Sequence, residues 1–201
     1  MRASFAIMAH PDRAWMVDEL SDALGVDHTV HWDRRGDRWE TGSRAWSAAD
    51  KRAKWHVVIQ DDAILCDDFT DRVFSFLETR KSQPVSFYLG AGRPRQVDVL
   101  RAISQAGDAD ALEMNQLIWG VCVALPRRFV TPMLMECSRG VPHYDTRMSQ
   151  FFERRKIKTA YSWPSLVDHR DEPSLIYKNL ATPRVAHRFA GSSRHWGTVP
   201  A

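Results

Sequence analysis

The strongest constraint in this chain is a run of β-branched residues that stops at two carboxylates, Trp55-His56-Val57-Val58-Ile59-Gln60-Asp61-Asp62. Val57 to Ile59 reads as a buried strand of a parallel sheet, because a strand covered on both faces is continuously apolar rather than alternating. In open α/β sheets ligands bind beyond the carboxyl ends of the strands, so carboxylates delivered there face a cleft. Hard oxygen ligands in that position suit Mg²⁺ or Mn²⁺, which binds few protein groups and completes its shell with water and phosphate. The same pair is also ordinary turn chemistry, since aspartate side chains bond the backbone just ahead of them and stop strands.

The rest of the chain alternates strands and helices around that stretch. Ser4 to Ala9 reads as a first strand and His10-Pro11-Asp12 as the turn leaving it, followed by a helix with Val17, Leu20 and Leu24 inward and Gly25 as its stop. His28 to Trp32 is a second strand, ending in Asp33-Arg34-Arg35-Gly36. Ser43 is the expected N-cap of a helix carrying Arg44 and Trp46. Phe69, Val73, Phe76 and Leu77 mark an amphipathic helix with Asp67 or Asp68 at its start. Further strands are expected over Pro84 to Leu89, Leu117 to Leu125 and Lys158 to Trp163, with a loop at Gly90 to Arg95 and no strong period from Ile103 to Asp110. Phe129 and Met133 indicate a short helix, and Asp145 is the expected N-cap of another over Thr146 to Lys156.

At 201 residues the chain has room for one α/β domain with a sizeable core, expected over residues 1–183, and a basic tail over 184–201. A formal charge of +3 is compatible with a phosphate-bearing ligand or a nucleic acid without demanding either. Three widely spaced cysteines with no CxxC pattern argue for reduced core thiols and against a disulfide frame or a zinc site. No stretch approaches the roughly 18 apolar residues of a membrane span, and the start has no signal-peptide pattern, so a cytoplasmic protein is expected. Eight tryptophans supply faces for core packing and for stacking on sugars or bases.

In this order the chain resembles the GT-A glycosyltransferases, in particular small ones of phage and bacterial type. The likeness is carried by Trp32-Asp33, Arg44-Ala45-Trp46, Val58-Ile59-Gln60-Asp61-Asp62, Trp119 to Pro126, Tyr144-Asp145 and Pro164-Ser165-Leu166-Val167-Asp168-His169. It implies a single-domain, Rossmann-like mixed sheet flanked by helices. It also implies a metal-dependent transfer of sugar from a nucleotide-sugar donor, UDP-linked by expectation, to a hydroxyl acceptor, in the host cytoplasm if phage-encoded. The family's Asp-x-Asp-like motif appears here as Gln60-Asp61-Asp62. The resemblance therefore makes Asp62 the direct ligand of Mn²⁺ or Mg²⁺, with His169 completing the site and Asp61 touching ribose, sugar or metal through water. It places Asp33, Arg44, Trp46 and Arg93 on the donor, with Arg170 a further candidate for the diphosphate. Asp145 becomes the general base of an inverting transfer. His169 also fits a strand-end histidine bonded to backbone, and Asp33 a turn aspartate.

The acceptor stays open among a hydroxymethylated base in phage DNA, a saccharide and a protein, with Trp163 and Trp196 as candidate stacking faces. Two rival readings are a nucleotidyltransferase and a non-catalytic nucleic-acid- or sugar-binding protein. The first wants a glycine-rich basic loop after the first strand, which Ala9-His10-Pro11-Asp12 does not offer. The second is separated from an enzyme by metal-dependent donor hydrolysis.

Overall fold

Strand β1 (Ala3–Ala9) sets the sidedness of the molecule, because its residues alternate between two buried faces. Phe5, Ile7 and Ala9 pack on one side with residues of α1 (Ala14–Leu24), while Ala6 and Met8 pack on the other with residues of α2 (Arg38–Ser47). Between the two helices runs β2 (His28–Trp32), parallel to β1. On the other edge of β1 lies β3 (Trp55–Gln60), whose Val57 and Ile59 join the first face and Val58 the second. Burial on both faces explains why this strand is apolar without a period of two.

The computed structural model describes residues 2–80, 82–92, 94–139, 143–170 and 184–197. After β3 come β4 (Ala63–Leu65), α3 (Phe69–Glu78), β5 (Val85–Ser86), α4 (Gln96–Ser104) and β6 (Ala111–Met114). They are followed by β7 (Cys122–Pro126), α5 (Arg127–Cys137), α6 (Tyr144–Arg154), β8 (Thr159–Ser162) and β9 (Val167–His169). Seven strands form one sheet in the order β2-β1-β3-β7-β5-β8-β6, and β4 and β9 pair in a small second sheet. The expected α/β class, a mixed sheet flanked by helices, is what the structure shows. β3 pairs parallel with β1 and antiparallel with β7, so it sits where the sheet changes direction. No helix among the described residues is long and apolar enough to cross a membrane.

Several local expectations are corrected. Helix α2 is capped by Asp37, which accepts from the backbone N–H groups of Trp39 and Glu40, not by Ser43, whose hydroxyl donates to the Glu40 carbonyl inside the helix. Helix α6 begins at Tyr144, so Asp145 lies inside its first turn and not at the cap. Only Val85–Ser86 of the expected 84–89 strand pairs as such, and the 117–125 stretch forms a strand only from Cys122. Helix α4 and strand β6 were not foreseen; both are short, and α4 buries only Val99.

The segment expected as a separate basic tail is built into the domain from Arg184 to Gly197. Val185 and His187 exchange backbone hydrogen bonds with Ala91 and Leu89, and Ser165 pairs with Arg188 and Ala190. Asp67 then holds Ser193 through the backbone N–H and the hydroxyl.

Candidate active site

The carboxyl ends of β1, β2 and β3 open into a cavity of about 750 Å³. Its floor is the acidic pair. Asp61 turns back toward β1: its Oδ2 accepts from the His10 backbone N–H at 2.6 Å, and its Oδ1 from Arg13 Nη1 at 3.0 Å. Asp62 points the other way. Its Oδ2 accepts from the same Arg13 nitrogen at 2.6 Å and lies 3.3 Å from His169 Nε2. Its Oδ1 is buried without a hydrogen-bond partner among the described residues.

Sheet register brings His169 here across more than a hundred residues of chain. Strand β9 pairs antiparallel with β4 so that His169 faces Ala63, next to Asp62, and the Arg170 N–H donates to the Asp62 carbonyl at 2.9 Å. The His169 Nδ1 sits 2.5 Å from the Arg170 carbonyl, which only accepts. That bond fixes the proton on Nδ1 and aims Nε2 at Asp62.

Electrostatics separate the two carboxylates. Burial, together with the neighbouring Asp62 charge, pushes Asp61 up to about 6 against the pull of Arg13. Burial acts on Asp62 as well, but His169 and Arg13 outweigh it and hold that carboxyl below the ordinary range. For Arg13, the two carboxylates overcome burial and raise an already high value.

The residues present fit a divalent cation. Asp62 offers a buried oxygen, Oδ1, with no hydrogen-bond partner among the described residues, and His169 Nε2 lies 3.3 Å from the other oxygen of the same carboxylate, so a hard oxygen and an imidazole stand together. No group of three or more His, Cys, Asp or Glu side chains among the described residues is arranged to hold a metal, so a cation at Asp62 and His169 would need further ligands, as a hard cation takes from phosphate and water.

The opposite wall comes from α6. Tyr144 is buried with its ring between Gly42 and Gly120, and its hydroxyl accepts from Trp46 Nε1 at 2.6 Å. This slot places Asp145 and His143 on the cavity wall. Asp145 is half-buried, and burial raises its carboxyl above the ordinary value. Arg38 and Arg184 join Arg13 as the arginines of a lining that also carries Asp33, Asp61, Asp62 and Asp145, and Tyr88 and Trp119 add an aromatic corner with ring centres 5.8 Å apart.

Of the residues expected on the donor, Asp33 and Asp61 line this cavity. Asp33 also makes the expected turn, its Oδ1 accepting from the N–H groups of Arg35 and Gly36. Trp46 has no exposed surface and belongs to the core, so it is not a donor contact. Arg44 lies outside the cavity, paired with Glu40 at 2.7 Å and donating to the Trp32 carbonyl. Arg93 lies outside the described residues. Arg170 is not a phosphate arginine: its guanidinium lies between the rings of Trp15 and Trp196 and pairs with Glu19 at 2.5 Å. Trp163 lies beneath Arg188, so neither tryptophan expected to stack an acceptor reaches the cavity lining.

Arg13, Arg38 and His143, which line the cavity, were not singled out from the sequence, and Trp119 was named there only within the Trp119 to Pro126 stretch. Arg13 had an available signal, because it follows β1 by one turn and β1 is the parallel neighbour of β3. The others arrive from elements whose register no local pattern encodes.

No protein-family model matches the chain, and no curated protein matches it. Among solved structures, the chain is similar to the crystal structure of A197 from STIV, with 15% identity and a TM-score of 0.49 over 98% of this chain and 99% of that one. It is also similar to a mutant of Drosophila beta-1,4-galactosyltransferase 7 in complex with manganese, UDP-Gal and xylobiose, at 13% identity and a TM-score of 0.47 over 92% of this chain and 69% of that one. The catalytic domain of the same Drosophila enzyme with xylobiose gives 13% identity and a TM-score of 0.46 over the same shares.

Proposed function

We propose that this chain is a GT-A-type glycosyltransferase that moves a sugar from a nucleotide-sugar donor to a hydroxyl acceptor. The observation that carries the reading is the convergence, in one strand-end cavity, of Asp62, whose Oδ1 has no hydrogen-bond partner among the described residues, and His169, 3.3 Å from Asp62 Oδ2, with the half-buried carboxylate of Asp145. Asp62 and His169 would hold Mn²⁺ or Mg²⁺, which as a Lewis acid stabilises charge developing on a leaving diphosphate.

The chain's own groups account for the remaining requirements. Arg38 and Arg184 are the arginines on the cavity wall that would meet a diphosphate, beside Arg13 on the acidic pair. Asp33, at the end of β2, is the group that would accept from a ribose hydroxyl or a base N–H. In the inverting direction the acceptor oxygen attacks the anomeric carbon, the bond from that carbon to phosphate oxygen breaks, and the acceptor proton passes to the Asp145 carboxylate. A carboxyl raised by burial is a stronger base once ionised, which suits that task. Trp119 and Tyr88 provide the aromatic face against which a sugar or a base can stack.

The test is release of nucleoside diphosphate from a panel of sugar nucleotides with Mn²⁺ or with chelator, for the wild type and for Asp62→Ala. Metal-dependent release from one donor, absent in the folded variant, is the expected result. A wild type that neither binds nor turns over any donor would overturn the proposal.

A further inference from the structure

One nitrogen of Arg13 bridges the two carboxylates, at 3.0 Å from Asp61 and 2.6 Å from Asp62. Arg13 is buried at 8% exposure, and its guanidinium meets Asp62 on the oxygen that His169 also faces. It therefore stands where a cation between the two aspartates would stand. Burying an arginine is costly unless its charge is compensated, and here Asp61 and Asp62 compensate it.

We infer that Arg13 is the resident cation of this site and makes divalent-metal binding conditional on a bound nucleoside diphosphate. This rests on the glycosyltransferase reading for the identity of the ligand.

The physical argument is one of charge balance. Asp61 and Asp62 carry two negative charges at most, and Arg13 already cancels one. A divalent ion on Asp62 and His169 would meet the guanidinium at close range in a poorly solvated pocket, where like charges repel strongly. A diphosphate brings enough negative charge to accommodate both cations, and the Arg13 fork is suited to phosphate oxygens. Metal and diphosphate then raise each other's affinity, because a coupling free energy between two ligands is reciprocal. Asp61 has a separate part. Tied to the His10 N–H, it holds the arginine on the β1 side of the cavity, while Asp62 Oδ1 is buried with no hydrogen-bond partner among the described residues.

The experiment is Mn²⁺ binding followed by electron paramagnetic resonance of the free ion, with metal alone and with metal plus UDP, on wild type, Arg13→Gln and Arg13→Lys. Glutamine keeps a polar amide while removing the charge. With metal alone, Arg13→Gln is expected to bind Mn²⁺ at least about ten-fold tighter than wild type, the scale of one charge-assisted contact. UDP is expected to tighten Mn²⁺ strongly in wild type and in Arg13→Lys, and much less in Arg13→Gln. A folded Arg13→Gln that binds Mn²⁺ alone no better than wild type overturns the inference.

A second measurement needs no variant. Mg²⁺ with UDP should shift the Arg13 guanidinium resonances of the wild type, and unchanged resonances under saturating metal and UDP would refute the engagement of Arg13 by the diphosphate. If UDP has no effect on any form while Arg13→Gln still gains metal alone, the donor reading fails and the resident-cation assignment stands.

Discussion

Gly42→Ala sets helix propensity against packing. Gly42 lies in the interior of α2, where alanine is favoured over glycine by about 1 kcal/mol. Propensity alone predicts a more stable protein. The structure predicts the opposite, because a Cβ at this position would lie 2.3 and 2.6 Å from two ring carbons of Tyr144 and 3.3 Å from the Met8 methyl. Carbon atoms in contact sit about 3.5 Å apart or more, so the ring would have to retreat by about 1.2 Å. It has little room to do so. Its other edge packs on Gly120, where a Cβ would come within 2.7 Å, and its hydroxyl is held by the fully buried Trp46.

Overpacking costs about 1–3 kcal/mol, and leaving the indole N–H unpaired costs a similar amount. Set against the propensity gain, the net loss is about 3 kcal/mol. In urea this lowers the midpoint by about 1 M for a chain of this size. Tyr144 carries the proposed base Asp145 on its next residue, so turnover should fall while Mn²⁺ binding at the proposed Asp62 and His169 site, on the turn after β3 and on β9, is kept. Combining the change with Tyr144→Ala, which empties the slot, should cost less than the sum of the two single variants. A Gly42→Ala protein as stable as wild type, or more so, would refute the slot as a constraint.

The acid limb of kcat/KM should lie above the ordinary aspartate value, because the half-buried Asp145 would have to lose its proton to act as the proposed base, and Asp145→Asn should abolish turnover; a limb at the ordinary value would count against it. The same shift has a stability sign: the folded state holds this proton longer than the unfolded chain. Its contribution to unfolding free energy therefore falls as pH rises from the ordinary value through the raised one, and Asp145→Asn should remove that slope. Trp46→Phe should lower stability by about 2 kcal/mol and leave donor affinity unchanged within two-fold by calorimetry, as expected of a core residue. Glu19→Gln weakens the buried Arg170 clamp and should cost about 2 kcal/mol in urea unfolding, somewhat below a fully buried pair because Glu19 is partly exposed. Burial pushes the Cys66 and Cys137 thiols up to about 11 and raises Cys122 as well, so a thiol-reactive disulfide reagent at pH 8 should react only after unfolding.

Residue type and local spacing alone already indicated the α/β class, the apolar β3 strand and the strand-end position of Asp61-Asp62. Burial on both faces and the switch from strand to carboxylate are properties of contiguous residues, and a sequence displays those directly. The helix with Val17, Leu20 and Leu24 inward and Gly25 at its end was legible for the same reason, since its periodicity and its left-handed glycine are local. Tertiary structure decided what each side chain does. Trp46 and Asp33 each follow a strand or helix signal, yet one is wholly buried and the other lines the cavity, because the packing of α6 on α2 determines which surface stays open. The pairing of β9 with β4 brings His169 to Asp62, and the turn after β1 brings Arg13 between the two carboxylates. Those contacts join residues separated by roughly fifty to a hundred positions, and their geometry is fixed by sheet register and helix packing, which depend on the whole core and leave no mark on any one segment.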